Sequence, residues 1–321
     1  MTAQELAGGS SRLLDYRFDI VGRSKLWFTL SLAVLLVGLA SMAFSLASLG
    51  TPLRLGLDFS GGTLLDLRFE RPVTTDELRR ALQEHGLGTS IIQLDTQTGQ
   101  EALIRMPPLS EQERLAVEDT LRQRVGSFER RLVETVGPTV GRLLLRSGLV
   151  AVLISFGLIV VYLALRFQWD YAVFAIVALL HDVVLTTGLF ALLGLTVGME
   201  ADSLFVVALL TIIGFSVNDT VVIYDRIREN LRLVSRRVSF AEVVNLSLNQ
   251  TFARSLNTTL TTMLPLVAIA IFGGATLKGF AIALLIGFSL GVYSSIFIAS
   301  PLLVWWRQRR YGGRVPSSAE G

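Results

Sequence analysis

The sequence predicts an α-helical polytopic membrane protein of six transmembrane helices, with an α+β ferredoxin-like extracytoplasmic domain between helices 1 and 2. Three observations predict it. Hydrophobic residues make up 51% of the 321 residues and charged ones only 17%, a balance unlike that of soluble globular domains. Six apolar segments reach or approach the roughly 18–20 residues that a helix needs to cross a bilayer. One long polar stretch, residues 49–142, carries strand-period and helix-period patterns in alternation.

Residues 1–25 form a polar leader before an apolar segment from Leu26 to Leu46. The uncharged run continues to Leu53, far longer than a signal-peptide core, so a retained anchor over residues 26–48 is expected. Within 49–142, "TLLDLRFE" alternates as a strand and "TTDELRRALQEHG" reads as a capped helix ending at His85 and Gly86. "SIIQLD" and "EALIRMP" flank the turn "TQTGQ" as a hairpin. "SEQERLAVEDTLRQRV" opens with Ser110 and Glu113 at capping-box spacing, and "ERRLVETV" closes the set. The order βαββαβ is that of a ferredoxin-like sandwich. His85 is expected to meet the last carbonyls of its helix. Residues 143–306 then hold five apolar segments, Ser147–Leu165, Tyr171–Leu195, Ser203–Tyr224, Ser255–Phe272 and Gly279–Trp306, before a tail at 307–321.

Orientation follows from the short flanks. The leader carries Arg12, Arg17, Arg23 and Lys25; the link after the second segment has Arg166; the link after the fourth has Arg226, Arg228, Arg232, Arg236 and Arg237; the tail has Arg307, Arg309, Arg310 and Arg314. The opposite links hold only Glu200 and Asp202 in one case and Lys278 in the other. Both termini are therefore expected in the cytoplasm, with Trp305 and Trp306 in an interfacial belt.

With no cysteine and only His85 and His181, the chain offers no thiolate site and no histidine-rich metal centre. "DFSGGT" lacks the strand, helix and Lys-Ser or Lys-Thr pair of a phosphate loop, so it reads as a turn, and no cofactor is expected. No nucleophile, base and oxyanion set points to an enzyme. The net charge of +3 is explained by topology, and no nucleic-acid module is visible.

Asn218 and Asp219 lie inside the fourth apolar segment, and Asp219 stands roughly 9 Å at helical rise from Asp225 at its basic end. An aspartate cannot snorkel, so Asp219 must face protein, water or a partner; the alternative seats the helix higher, with Asp219 wetted at the headgroups. In "RSLNTTLTTMLP", Arg254, Asn257, Thr258, Thr261 and Thr262 share one helical face, a stripe expected in the bundle interior. Its threonines either line a pathway or bond helix to helix. Arg254 is a candidate partner for Asp219. His181 and Asp182, with Thr186 one turn on, either relay protons or satisfy each other. A buried carboxyl that an arginine approaches and leaves is able to load and release a proton. Gly287 and Gly291 have the spacing of close helix packing, and "FGGAT" is a tight turn.

"GLDFSGGT", "HDV", "GFSVNDTVVIYDRIREN", "NQTFARSLNTTLTT" and "FGG" followed by "GFAIALLIGFSLGVYSSIFIASPL" occur in that order. Together they resemble the SecF family, whose members are subunits of the bacterial SecDF protein-export complex within the resistance-nodulation-division superfamily. The resemblance implies a multi-pass protein of the bacterial cytoplasmic (inner) membrane that pairs with SecD. It also implies that the pair assists preprotein export through the SecYEG channel by the proton motive force, with YajC and the membrane insertase as further partners. It maps the functional aspartate and arginine onto Asp219 and Arg254, and puts Gly56, Asp58, Gly61 and Gly62 in the family's signature loop. Any complete proton path would then be shared with another chain. Two other readings remain at this point: a proton-coupled small-molecule or lipid exporter of the same superfamily, and a static assembly subunit.

Overall fold

A computed structural model describes residues 18–95, 98–233 and 238–311. Arg12, Arg17, Arg236, Arg237 and Arg314 of the orientation argument lie outside the described residues, as do two residues of the "TQTGQ" turn. The chain divides into two compact units: Leu55–Val150, and the remainder.

In the first unit, α2 (Leu57–Ser60) is a single helical turn that ends at Gly61 and Gly62, with φ of 72° and 132°. Only glycine fits at Gly62, where a Cβ would also stand 2.6 Å from the Met106 carbonyl oxygen. The elements then run β1 (Gly62–Phe69), α3 (Thr75–Gln83), β2 (Ile91–Leu94), β3 (Glu101–Met106), α4 (Glu111–Arg124) and β4 (Phe128–Val136). They form an antiparallel sheet in the order β2-β3-β1-β4, the expected ferredoxin-like arrangement. Alternation along β1 sends Leu65, Leu67 and Phe69 to one face, where they pack with Leu78, Leu82, Ile104, Val117 and Leu121. Both helices start on complete capping boxes, Thr74 with Glu77 and Ser110 with Glu113. His85 departs from expectation: its Nε2 lies 2.8 Å from the Thr120 hydroxyl, joining α3 to α4 instead of closing its own helix.

Among the described residues, six helices are long and apolar enough to cross a membrane. They are α1 (Ser24–Leu49), α5 (Pro138–Arg166), α6 (Trp169–Thr196), α7 (Ser203–Leu233), α8 (Phe240–Phe272), and a composite of α9 (Ala275–Ser294), a π-helical turn (Ser295–Ala299) and α10 (Ser300–Tyr311). Pro301 has no N–H to donate, and the turn before it widens while the Ser300 hydroxyl donates to the Ser295 carbonyl at 3.1 Å. Gly38 of α1 meets Gly188 of α6 so closely that a Cβ on Gly188 would lie 2.6 Å from the Gly38 Cα. Gly287 and Gly291 seat α9 on α7 at Ile212 and Ser216, the packing that their spacing predicts.

Several ends differ from the apolar boundaries. α8 begins at Phe240, well ahead of Ser255, because a Ser239–Glu242 capping box starts it and an amphipathic stretch continues it. Arg226, Arg228 and Arg232 belong to the last turns of α7 and not to a link. Arg307, expected in a free tail, is buried in the last helix, bonded to Asp170 at 2.6 Å and held between the Tyr171 and Phe240 rings. Trp306 turns inward onto Trp169, whereas Trp305 is exposed.

Candidate functional site

One turn of α7 carries three buried polar side chains of the bundle. Ser216, Asp219 and Thr220 stand at the i, i+3, i+4 spacing of one helix face. Each reaches a different element.

Ser216 donates to Asp182 Oδ2 on α6 at 2.6 Å, and Ser294 of α9 donates to the same oxygen at 2.6 Å. Asp182 Oδ1 lies 3.0 Å from His181 Nδ1, and His181 Nε2 lies 2.6 Å from the Ser31 hydroxyl on α1. Asp182 is fully buried, so the pair sits at the centre of a polar knot joining α1, α6, α7 and α9. Thr186, one turn on, is buried with no hydrogen-bond partner among the described residues. Thr220 shares a 2.7 Å hydrogen bond with Ser295 of the π-helical turn. That widened turn therefore brings two consecutive serines into the bundle, in keeping with the frequent use of π-bulges at functional positions.

Asp219 is 8% exposed. Its Oδ1 accepts from the Ser255 hydroxyl of α8 at 2.6 Å, while Oδ2 is buried with no partner among the described residues. No ion pair joins Arg254 to Asp219 among the described residues, and Arg254 lies on an exposed face of α8. The expected interior stripe is corrected accordingly: Asn257, Thr258 and Thr261 are exposed, Thr262 is half-buried, and Asn218 on α7 is exposed. Thr261 and Thr262 turn their hydroxyls back onto carbonyls of their own helix.

The physical reason is that α8 has two polar faces. Ser247, Thr251, Ser255 and Thr259, spaced four apart, form the face that packs inward, and all four are buried. Composition does not say which polar face points in. Sequence reasoning missed Ser255, Ser216, Ser294, Ser295 and Ser31; the four-residue repeat of small hydroxyls on α8 was the readable signal for the first.

The glycines of "GLDFSGGT" do conformational work. The Gly56 carbonyl accepts from the backbone N–H groups of Phe59 and Ser60, and Gly61 and Gly62 supply the positive φ that turns the chain into β1. Asp58 stands in the first turn of α2.

At the arginine-rich end of α7, Arg166 bonds both oxygens of Asp225 at 2.8 and 2.7 Å. Asn245 Oδ1 accepts from the backbone N–H groups of Ile20 and Val21, and Asn249 pairs with both backbone groups of Phe18. The segment before α1 is thus held against the first turns of α8.

Comparison with known proteins agrees with this architecture. The family model described as protein export membrane protein SecD/SecF, C-terminal, matches residues 116–309, and the SecD/SecF GG motif matches residues 47–73, around Gly61 and Gly62. The protein translocase subunit SecF of Synechocystis is 51% identical over 295 residues, 88% of this chain and 92% of that one. Its counterpart from Thermobaculum terrenum is 41% identical, over 91% and 95% of the two chains. The crystal structure of SecDF, a translocon-associated membrane protein from Thermus thermophilus, superposes with a TM-score of 0.78 at 39% identity, covering 92% of this chain and 39% of that longer one. The chain belongs to the SecD/SecF family of protein export membrane proteins, and over most of its length it is similar to the SecF subunits.

Proposed function

We propose that the chain is an export subunit that pairs with a SecD-type partner and uses protonation of Asp219 to couple the proton motive force to preprotein passage through the SecYEG channel. One observation carries the reading: Asp219 has a buried carboxyl oxygen with no partner among the described residues, next to a polar helix face that this chain leaves exposed. Lipid is a poor neighbour for Arg254 and Asn257, since charged and polar side chains on membrane helices face protein or water rather than hydrocarbon. A second helical subunit on that face supplies the protein. The similarity to a SecDF chain of more than twice this length supports a SecD half as the cover.

In a low-dielectric site the neutral carboxyl is favoured; an arriving arginine favours the carboxylate. Movement of Arg254 towards or away from Asp219 thus releases or loads a proton. One charge crossing the membrane potential supplies about 2.3 kcal/mol per 100 mV, enough to bias a modest domain movement. The same logic separates the two aspartates. Asp182 already accepts from two serines and meets His181, so it works as a structural tie among helices. No covalent bond is turned over in this scheme. The exposed arginines Arg166, Arg309 and Arg310 support both ends of the chain in the bacterial cytoplasm, with residues 49–142 on the opposite side.

Asp219→Asn tests the proposal in cells that carry the variant in place of the native chain. Normal accumulation with loss of proton-driven export is expected. Full export in that variant overturns it.

A further inference from the structure

We propose that Ser255 is the positioning residue for Asp219: its hydroxyl holds the charged carboxylate through Oδ1 and directs the incoming proton to Oδ2. The inference rests on the coupling role of Asp219.

The four buried hydroxyls of α8 do not behave alike. Ser247 donates to the Val243 carbonyl, Thr251 to Ser247 and Thr259 to Ser255, each closing on its own helix. Ser255 alone of the four donates to another helix, and it does so at 2.6 Å to a carboxylate oxygen. A helical serine keeps a second acceptor within reach, the carbonyl four residues back, here that of Thr251. The hydroxyl therefore has two stations one rotamer apart: Asp219 when the carboxylate is charged, Thr251 when it is neutral. Oδ2, buried and unpartnered among the described residues, is left to bear the proton.

Among the described residues, no other side chain bonds the Asp219 carboxyl, and Arg254 makes no ion pair. On the elements facing this turn of α7, Asp182 and His181 are bonded to Ser216, Ser294 and Ser31. Tyr293 of α9 sends its hydroxyl to the Trp27 carbonyl at 2.7 Å.

A donor to the charged form favours that form. Without it, the carboxyl keeps its proton to higher pH. The test compares Ser255→Thr with Ser255→Val, near-isosteres with and without the hydroxyl, in the full chain within its native membrane, reading proton-driven export against pH beside Asp219→Asn. Ser255→Thr is expected to keep the native profile. Ser255→Val is expected to move the half-maximal point upward by about one pH unit, the scale of one hydrogen bond to a charged group. Coincident profiles for the two variants, with Asp219→Asn inactive, overturn the role of Ser255 and leave that of Asp219 standing. Equal losses of export without a shift in profile also overturn it, since they mark a packing role alone. Full export by Asp219→Asn removes the role of Asp219 and this inference with it.

Discussion

Asp182 and Asp219 are both carboxyl groups buried among membrane helices, and their surroundings predict opposite responses to substitution. Asp182→Ala removes the acceptor that Ser216 and Ser294 share and the partner of His181 Nδ1 at a fully buried position, leaving Ser294 only its 3.2 Å contact with the Gly291 carbonyl. Each buried polar group left unpaired costs about 1–3 kcal/mol, so a loss on the order of 3–5 kcal/mol is expected, read as a large drop in thermal midpoint in detergent or failure to accumulate. Among the described residues, Asp219→Ala removes the partner of Ser255 alone, whose hydroxyl is expected to turn to the Thr251 carbonyl. Its thermal midpoint should stay close to that of the native chain. A reversal of this order would contradict the division of labour between the two aspartates.

At the level of the element, the glycines grade helix contacts by what stands opposite. Gly188→Ala drives a Cβ against the backbone of Gly38, which cannot yield, so α1 and α6 must separate. A loss of about 1–3 kcal/mol is expected, the range for overpacking. Gly287→Ala drives a Cβ into both branches of the buried, β-branched Ile212, which is stiff in a helix, and Gly214→Ala meets nothing within 4 Å. Thermal midpoints should therefore fall for Gly188→Ala and Gly287→Ala, with Gly214→Ala nearly neutral. In the ferredoxin-like unit, the Thr74 and Ser110 backbone N–H groups hold the Glu77 and Glu113 carboxyls below the usual glutamate range. A lowered value means that the folded form binds its proton less tightly than the unfolded chain. The caps therefore stabilise above the ordinary glutamate range and weaken as pH falls through the depressed values. Glu113→Ala should lower stability at neutral pH, and the gap should close under acid; a pH-independent gap would assign the effect to helix propensity. Asp66 has the opposite sign: burial raises it, partly offset by Arg131, so its charge costs stability at neutral pH. Asp66→Asn should stabilise there and have no effect below the aspartate range.

For the whole molecule, the absence of cysteine in the sequence makes single-cysteine labelling free of background. Thr258→Cys and Thr261→Cys are expected to cross-link to the partner subunit and to resist a lipid-phase quencher. Leu153→Cys, on a strongly exposed position of α5, should react with that quencher. Equal quenching at all three positions would show that lipid, and not protein, covers α8. Glu129→Cys and Arg309→Cys should label from opposite sides of the membrane; labelling from one side would overturn the proposed orientation.

Much of this was legible along the chain. Apolar length alone marks six membrane helices, because lipid demands that each backbone segment satisfy itself. Strand alternation and the Ser110 cap mark the ferredoxin-like unit, because those signals are local. The motifs around Asp219 and Gly61-Gly62 point to the family. What only the tertiary structure decided is facing: which polar side of α8 packs inward, that Ser255 and not Arg254 holds Asp219, that Asp182 is tied by serines from two other helices, and that Arg307 is buried. Helical periodicity states which residues share a face. Which face meets which neighbour depends on helix rotation, set by close approaches such as Gly38 to Gly188 and Gly291 to Ser216, between positions far apart in the chain.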